Sequence, residues 1–157
     1  MSRAAGFTLL STIAVIVITT GCGGTAATVN ADNRWMASLI QSGGIAGTMK
    51  TISVDSTGML DVRGKNSEIL SHRTLAEEEA EQLSAMIAAA FSSNKKIPVS
   101  ELNRSCRDCM QFHLTLRSVD RELLYSTDSS GLADSYYQPL ISKLIQLGKQ
   151  SSPSGKQ

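Results

Sequence analysis

Hydrophobic positions in this chain change period several times, and each change marks an element. Apolar residues from Trp35 to Gln41 are interrupted by small ones, and Ser42-Gly43-Gly44-Ile45-Ala46-Gly47 then breaks the pattern with three glycines, which predicts a turn or loop between strands. Thr48 to Val54 is rich in β-formers and ends at Asp55-Ser56-Thr57-Gly58, a polar cluster whose glycine supplies positive φ. Met59 to Arg63 then reads as the returning arm of a hairpin. Glu68 to Arg73 has a poorer alternation and is expected as an edge strand.

Thr74-Leu75-Ala76-Glu77 has the spacing of a capping box, which predicts a helix start at that point. Leu83, Met86, Ile87, Ala90 and Phe91 follow at spacings of three and four and form one apolar stripe, while Glu77, Glu78, Glu79 and Glu81 complement the helix dipole in the first turns. After a loop around Pro98, Phe112, Leu114 and Leu116 alternate with His113, Thr115 and Arg117 as the clearest strand. A turn at Val119-Asp120-Arg121 leads to Leu123, Leu124 and Tyr125 as its antiparallel partner. The last element, from about Ser135 to Leu147, carries Tyr137, Leu140, Ile141 and Leu144 on one stripe, with Pro139 in its first turn and Gly148 as its stop. The order is two or three strands, a helix, two strands and a helix, with short connections. It predicts an α+β fold: a small antiparallel sheet of about four or five strands with two helices packed on one face.

The N-terminal pattern is of another kind. One cation, Arg3, precedes an apolar run from Phe7 to Ile18, about a dozen residues long, and small residues follow. A membrane span needs roughly 20 residues, so an exported leader is the better reading. Thr19-Thr20-Gly21-Cys22-Gly23 resembles a lipobox, the site where a lipoprotein signal peptidase cuts before a lipid-modified cysteine. Residues 1–21 are then the signal peptide, and Cys22, the lipidated first mature residue, anchors the chain to a bacterial membrane. The competing site, Val29-Asn30-Ala31, suits ordinary signal peptidase and would discard Cys22. Gly23, in place of an Asp after the cysteine, favours an outer membrane or cell surface. Residues 22–34 have the composition of a tether, 35–147 form one α+β domain, and 148–157 lack any apolar period and are expected as a disordered tail.

Composition narrows the chemistry. The formal charge is +1, and only 4% of residues are aromatic, so no field or stacking platform points to nucleic acid. The loose cluster Lys95, Lys96, Arg104 and Arg107 reads as a solvated loop. With Cys22 lipidated, Cys106 and Cys109 are the remaining thiols, and in an exported protein a disulfide between them is expected. Two alternatives stay open: a redox-active pair, although a strand rather than a helix follows it, and a zinc set of Cys106, Cys109, His113 and His72. His72 and His113 are the only histidines, and no Gly-x-Ser-x-Gly elbow or phosphate-binding glycine loop is present. Asp55, Asp61, Asp120 and Asp128 lie near predicted turns, where turn chemistry explains them. The expectation is a monomeric, non-enzymatic binding domain with no metal and no cofactor.

The segment Ser42 to Gly47, followed by the strand Thr48 to Val54, resembles the start of the emfourin family, the protealysin inhibitors, which block thermolysin-like metalloproteases. The helix Leu75 to Phe91, the strand Phe112 to Leu116 and the closing segment Pro139-Leu140-Ile141-Ser142-Lys143-Leu144 are similar in type and order, so the resemblance spans roughly Ala37 to Leu147. The leader and the Cys106/Cys109 pair depart from the emfourin pattern and fit an exported branch. The resemblance implies a protease-binding loop of Ser42, Gly43, Gly44, Ile45, Ala46 and Gly47, with Ile45 as the apolar anchor just after the position of a scissile bond. The competing expectation is that the glycines merely turn the chain and Ile45 packs on the core. The other functional readings are an envelope lipoprotein that binds a different surface component or has a structural role, and a thiol redox protein.

Overall fold

A computed structural model describes residues 34–93, 106 and 108–150. Its strands are β1 (Trp35–Gly43), β2 (Thr48–Asp55), β3 (Met59–Arg63), β4 (Ile69–Thr74), β5 (Met110–Ser118) and β6 (Glu122–Asp128), with α1 (Glu77–Ser92) after β4 and α2 (Gln138–Gln150) after β6. All strands pair antiparallel in one sheet of order β4-β3-β2-β1-β5-β6. The α+β class is as expected. Six strands are present rather than four or five, because both weakly patterned stretches, Trp35–Gly43 and Ile69–Thr74, find partners. The first strand in the chain is thus central: β1 pairs with β2 through Ala37↔Val54 and Leu39↔Ile52, and with β5 through Ala37↔Leu116 and Leu39↔Leu114.

Period-two alternation puts every large strand residue of the core on one face. Ala37, Leu39, Ile52, Val54, Leu60, Val62, Phe112, Leu114 and Leu116 are buried there beneath Leu83, Ile87 and Ala90 of α1 and Leu140, Ile141, Leu144 and Leu147 of α2. Leu and Ile dominate, as the low aromatic content requires. Tyr137 lies against Tyr125 with ring centroids 4.8 Å apart, and burial, reinforced by Tyr136 and Tyr125, pushes its hydroxyl pKa up. On the opposite face, polar residues pair across strands: Ser38 with Ser53 at 3.2 Å, His113 with Ser126 at 2.8 Å, and Arg117 with Glu122 at 2.6 Å.

Three local expectations are corrected. Thr74 ends β4 opposite Met59, and Leu75 donates its N–H to the Gly58 carbonyl, so the helix cap lies two residues after the predicted Thr74 and α1 begins at Glu77. Ala76 takes the cap position, and Glu79 rather than Glu77 reaches back, accepting from the Ala76 N–H at 3.3 Å. Asp61 lies inside β3, 2.6 Å from His72 on β4, and its pairing there replaces the turn role assigned to it. Gly148 does not stop α2, which runs on to Gln150. A Cβ built on Gly148 would lie 2.6 Å from Cδ1 of fully buried Ile52, so glycine permits close helix–sheet approach there instead of capping the helix. Gly148→Leu is expected to lower unfolding free energy by about 1–3 kcal/mol, measured by urea denaturation, because the added side chain enters a filled core. Unchanged stability would show that Ile52 can retreat.

Candidate functional site

The glycine segment forms the tip of the β1–β2 hairpin. Ser42 and Gly43 still belong to β1, paired with Met49 and Thr48, and residues 44–47 make the turn, closed by the Gly47 N–H donating to the Gly44 carbonyl at 3.0 Å. The Thr48 hydroxyl adds a bond to the Gly43 carbonyl at 3.2 Å. Gly43 and Gly44 have φ of 104° and 73°, backbone that other residues rarely adopt. Ile45 stands at the apex with 94% of its surface exposed. Of the two expectations for this residue, packing on the core is therefore overturned.

The tip is supported from one side. Gly43 pairs with Met110 of β5, and a Cβ on Gly43 would lie 2.6 Å from the carbonyl oxygen of Cys109. A Cβ on Gly44 would come 3.0 Å from the Met110 sulfur. Cys106 and Cys109 form the expected disulfide, with Cα atoms 5.5 Å apart, so the cross-link stands at the entry to β5, directly beside the hairpin tip. Beyond it, Asp128 is buried and accepts from the Ser130 and Gly131 N–H groups, while Ser129 N–H donates to the Met110 carbonyl, closing the same end of the sheet. A four-residue loop gives little entropic stabilisation. Replacing both cysteines by serine should therefore cost no more than about 2 kcal/mol in chemical denaturation. A larger loss would mean that the pair holds more of the fold than its own turn.

The other chemical candidates are dispersed. His72 on β4 and His113 on β5 have β3, β2 and β1 between them, and their ring nitrogens pair with Asp61 and Ser126. With the two cysteines bonded to each other, the zinc set is not assembled, and no cluster of three metal-ligating side chains occurs among the described residues. Asp55 accepts from Thr57 N–H and Met59 N–H in the β2–β3 turn, as turn chemistry predicts. Cys22, the Val29-Asn30-Ala31 site and the cluster of Lys95, Lys96, Arg104 and Arg107 lie outside the described residues. No helix of the described residues is long and apolar enough to cross a membrane.

One feature escaped the sequence reading. A cleft of about 550 Å³ opens beside the tip, walled by Ala46 and Gly47 of the turn, Lys50 of β2, Lys65 and Glu68 of the β3–β4 connection, and Lys149 of α2. These residues are remote along the chain, and Lys149 falls in the stretch expected as a tail, so no spacing announced them. No protein-family model matches the chain, and comparison with curated proteins gives no match.

Proposed function

We propose that this domain is the binding part of an exported lipoprotein held to a membrane by lipid on Cys22, and that it inhibits thermolysin-like metalloproteases by occluding their cleft. The observation that carries the reading is Ile45, a large aliphatic side chain almost fully exposed at the apex of a braced hairpin. Such exposure of an aliphatic residue is costly in water and is recovered when a partner covers it. Gly47, whose missing Cβ leaves open space, lets a partner's main chain come close, and the turn bond, the Thr48 bond and the neighbouring disulfide hold the conformation before binding.

The direction of β1 supports the same reading. The tether would join at Arg34, and nine strand residues at about 3.3 Å each place the tip about 30 Å away at the other end of the sheet. An anchored domain would thus hold Ile45 outward from the surface. No cofactor is needed, since the mechanism is steric. The test is hydrolysis by a thermolysin-like protease in the presence of a soluble form starting near Asn33. Inhibition at micromolar protein is expected. Its absence would leave an envelope module that uses the tip for another surface component.

A further inference from the structure

The lysines are unevenly placed. The described residues contain four, Lys50, Lys65, Lys143 and Lys149, and three of them wall the cleft beside the tip. The chain as a whole carries a formal charge of only +1, so this concentration does not reflect a generally basic surface. Each lysine comes from a different element, and the fold alone brings them together: Lys50 from β2, Lys65 from the β3–β4 connection, Lys149 from the last turn of α2. Lys50 also donates to the Gly148 carbonyl at 3.5 Å, a helix C-terminal group that a cation complements. Lys65 and Lys149 are exposed. The single carboxylate in the wall, Glu68, accepts the Asn66 N–H at 2.8 Å and so is turned to its own connection.

We propose that this cleft is an anion-accepting subsite of the same binding surface: the protein that takes Ile45 into an apolar pocket places an Asp or Glu carboxylate from the rim of its own cleft between Lys65 and Lys149. The inference rests on the inhibitor reading. Ala46 and Gly47 belong to both the tip and the cleft wall, so the cleft adjoins the surface that a partner seated on Ile45 would cover. Lysine suits this role, since an ammonium on a long flexible stem meets a rim carboxylate as a point charge without demanding a fixed geometry. The two contacts divide the work. Ile45 supplies the desolvated anchor and slows dissociation, whereas the lysines, partly solvated, steer the encounter and choose partners with acidic rims.

Association and dissociation rates with a thermolysin-like metalloprotease test this for the soluble form, at salt concentrations of about 50 and 500 mM. Lys65→Glu with Lys149→Glu is expected to slow association about tenfold at low salt, with the gap closing at high salt and dissociation little changed. Lys143→Glu, on α2 outside the cleft, is the control for net charge and should associate like the parent. Ile45→Asp should lose inhibition at both salts. Should the double variant match the parent at both salts while Ile45→Asp fails, the anion subsite is refuted and the inhibitor reading stands. Equal slowing per charge by Lys143→Glu would refute it too, by reducing the effect to net charge. If the parent does not inhibit, both proposals fall together. Both cleft lysines are exposed, so a melting curve like the parent's is expected and separates these outcomes from misfolding.

Discussion

Replacing Ile45 by Asp is expected to raise the inhibition constant against a thermolysin-like protease by about a hundredfold or more, while leaving the melting temperature unchanged. The two halves of this expectation have separate causes. In the free protein Ile45 touches almost nothing, with 94% of its surface in water, and its turn is held by main-chain groups and the Thr48 hydroxyl, so a carboxylate there breaks no folded contact. In a complex the same carboxylate would be carried into an apolar pocket without a partner, and burial of an unpaired charge is strongly opposed. Thermal melting and an inhibition titration on one preparation decide it. Undiminished inhibition by the variant would remove Ile45 from the interface, and a large fall in melting temperature would mean that the apex is part of the folded core after all.

Gly43→Ala is expected to act in the opposite way, costing about 2–4 kcal/mol of stability and weakening inhibition through the shape of the loop. The methyl group meets two obstacles at once. The residue sits at φ 104°, where a Cβ is strained, and the new atom would lie 2.6 Å from the Cys109 carbonyl oxygen, which is main chain and cannot rotate aside. Relief requires β1 and β5 to part at Gly43↔Met110, which removes the support behind the turn. Guanidinium denaturation together with hydrogen exchange at Met110 and Ser129 would register it. Stability within about 0.5 kcal/mol of the parent would show that the β5 end yields freely and does not brace the tip.

The elements that the sequence made legible are those whose burial is one-sided and periodic. Phe112, Leu114 and Leu116 alternate because α1 and α2 cover one face of β5 while His113, Thr115 and Arg117 face outward. Leu83, Ile87 and Ala90, and likewise Tyr137, Leu140, Ile141 and Leu144, recur at helical spacing for the same reason. β4 was harder to read because it is an edge strand with Ile69 largely exposed and an irregularity opposite Val62/Arg63, so little of it is selected for burial. Gly148 misled because a glycine after an apolar stripe has two physical uses, a helix stop or a close contact, and only the position of Ile52 distinguishes them. At the candidate site, the three glycines announced a turn, yet whether Ile45 pointed inward or outward depended on hairpin geometry. The lysine cleft was invisible, since its members meet only when β2, the β3–β4 connection and α2 have packed.

The central place of β1 also decides how the domain would bear load. A pull on the chain at Arg34, with a partner gripping the tip, runs along the axis of the one strand bonded to both β2 and β5. Extracting that strand would shear two ladders along their length, so many hydrogen bonds share the force, whereas an edge strand pulled at one end would unzip bond by bond. If a partner held the tip, load entering at Arg34 would therefore be resisted by both ladders at once.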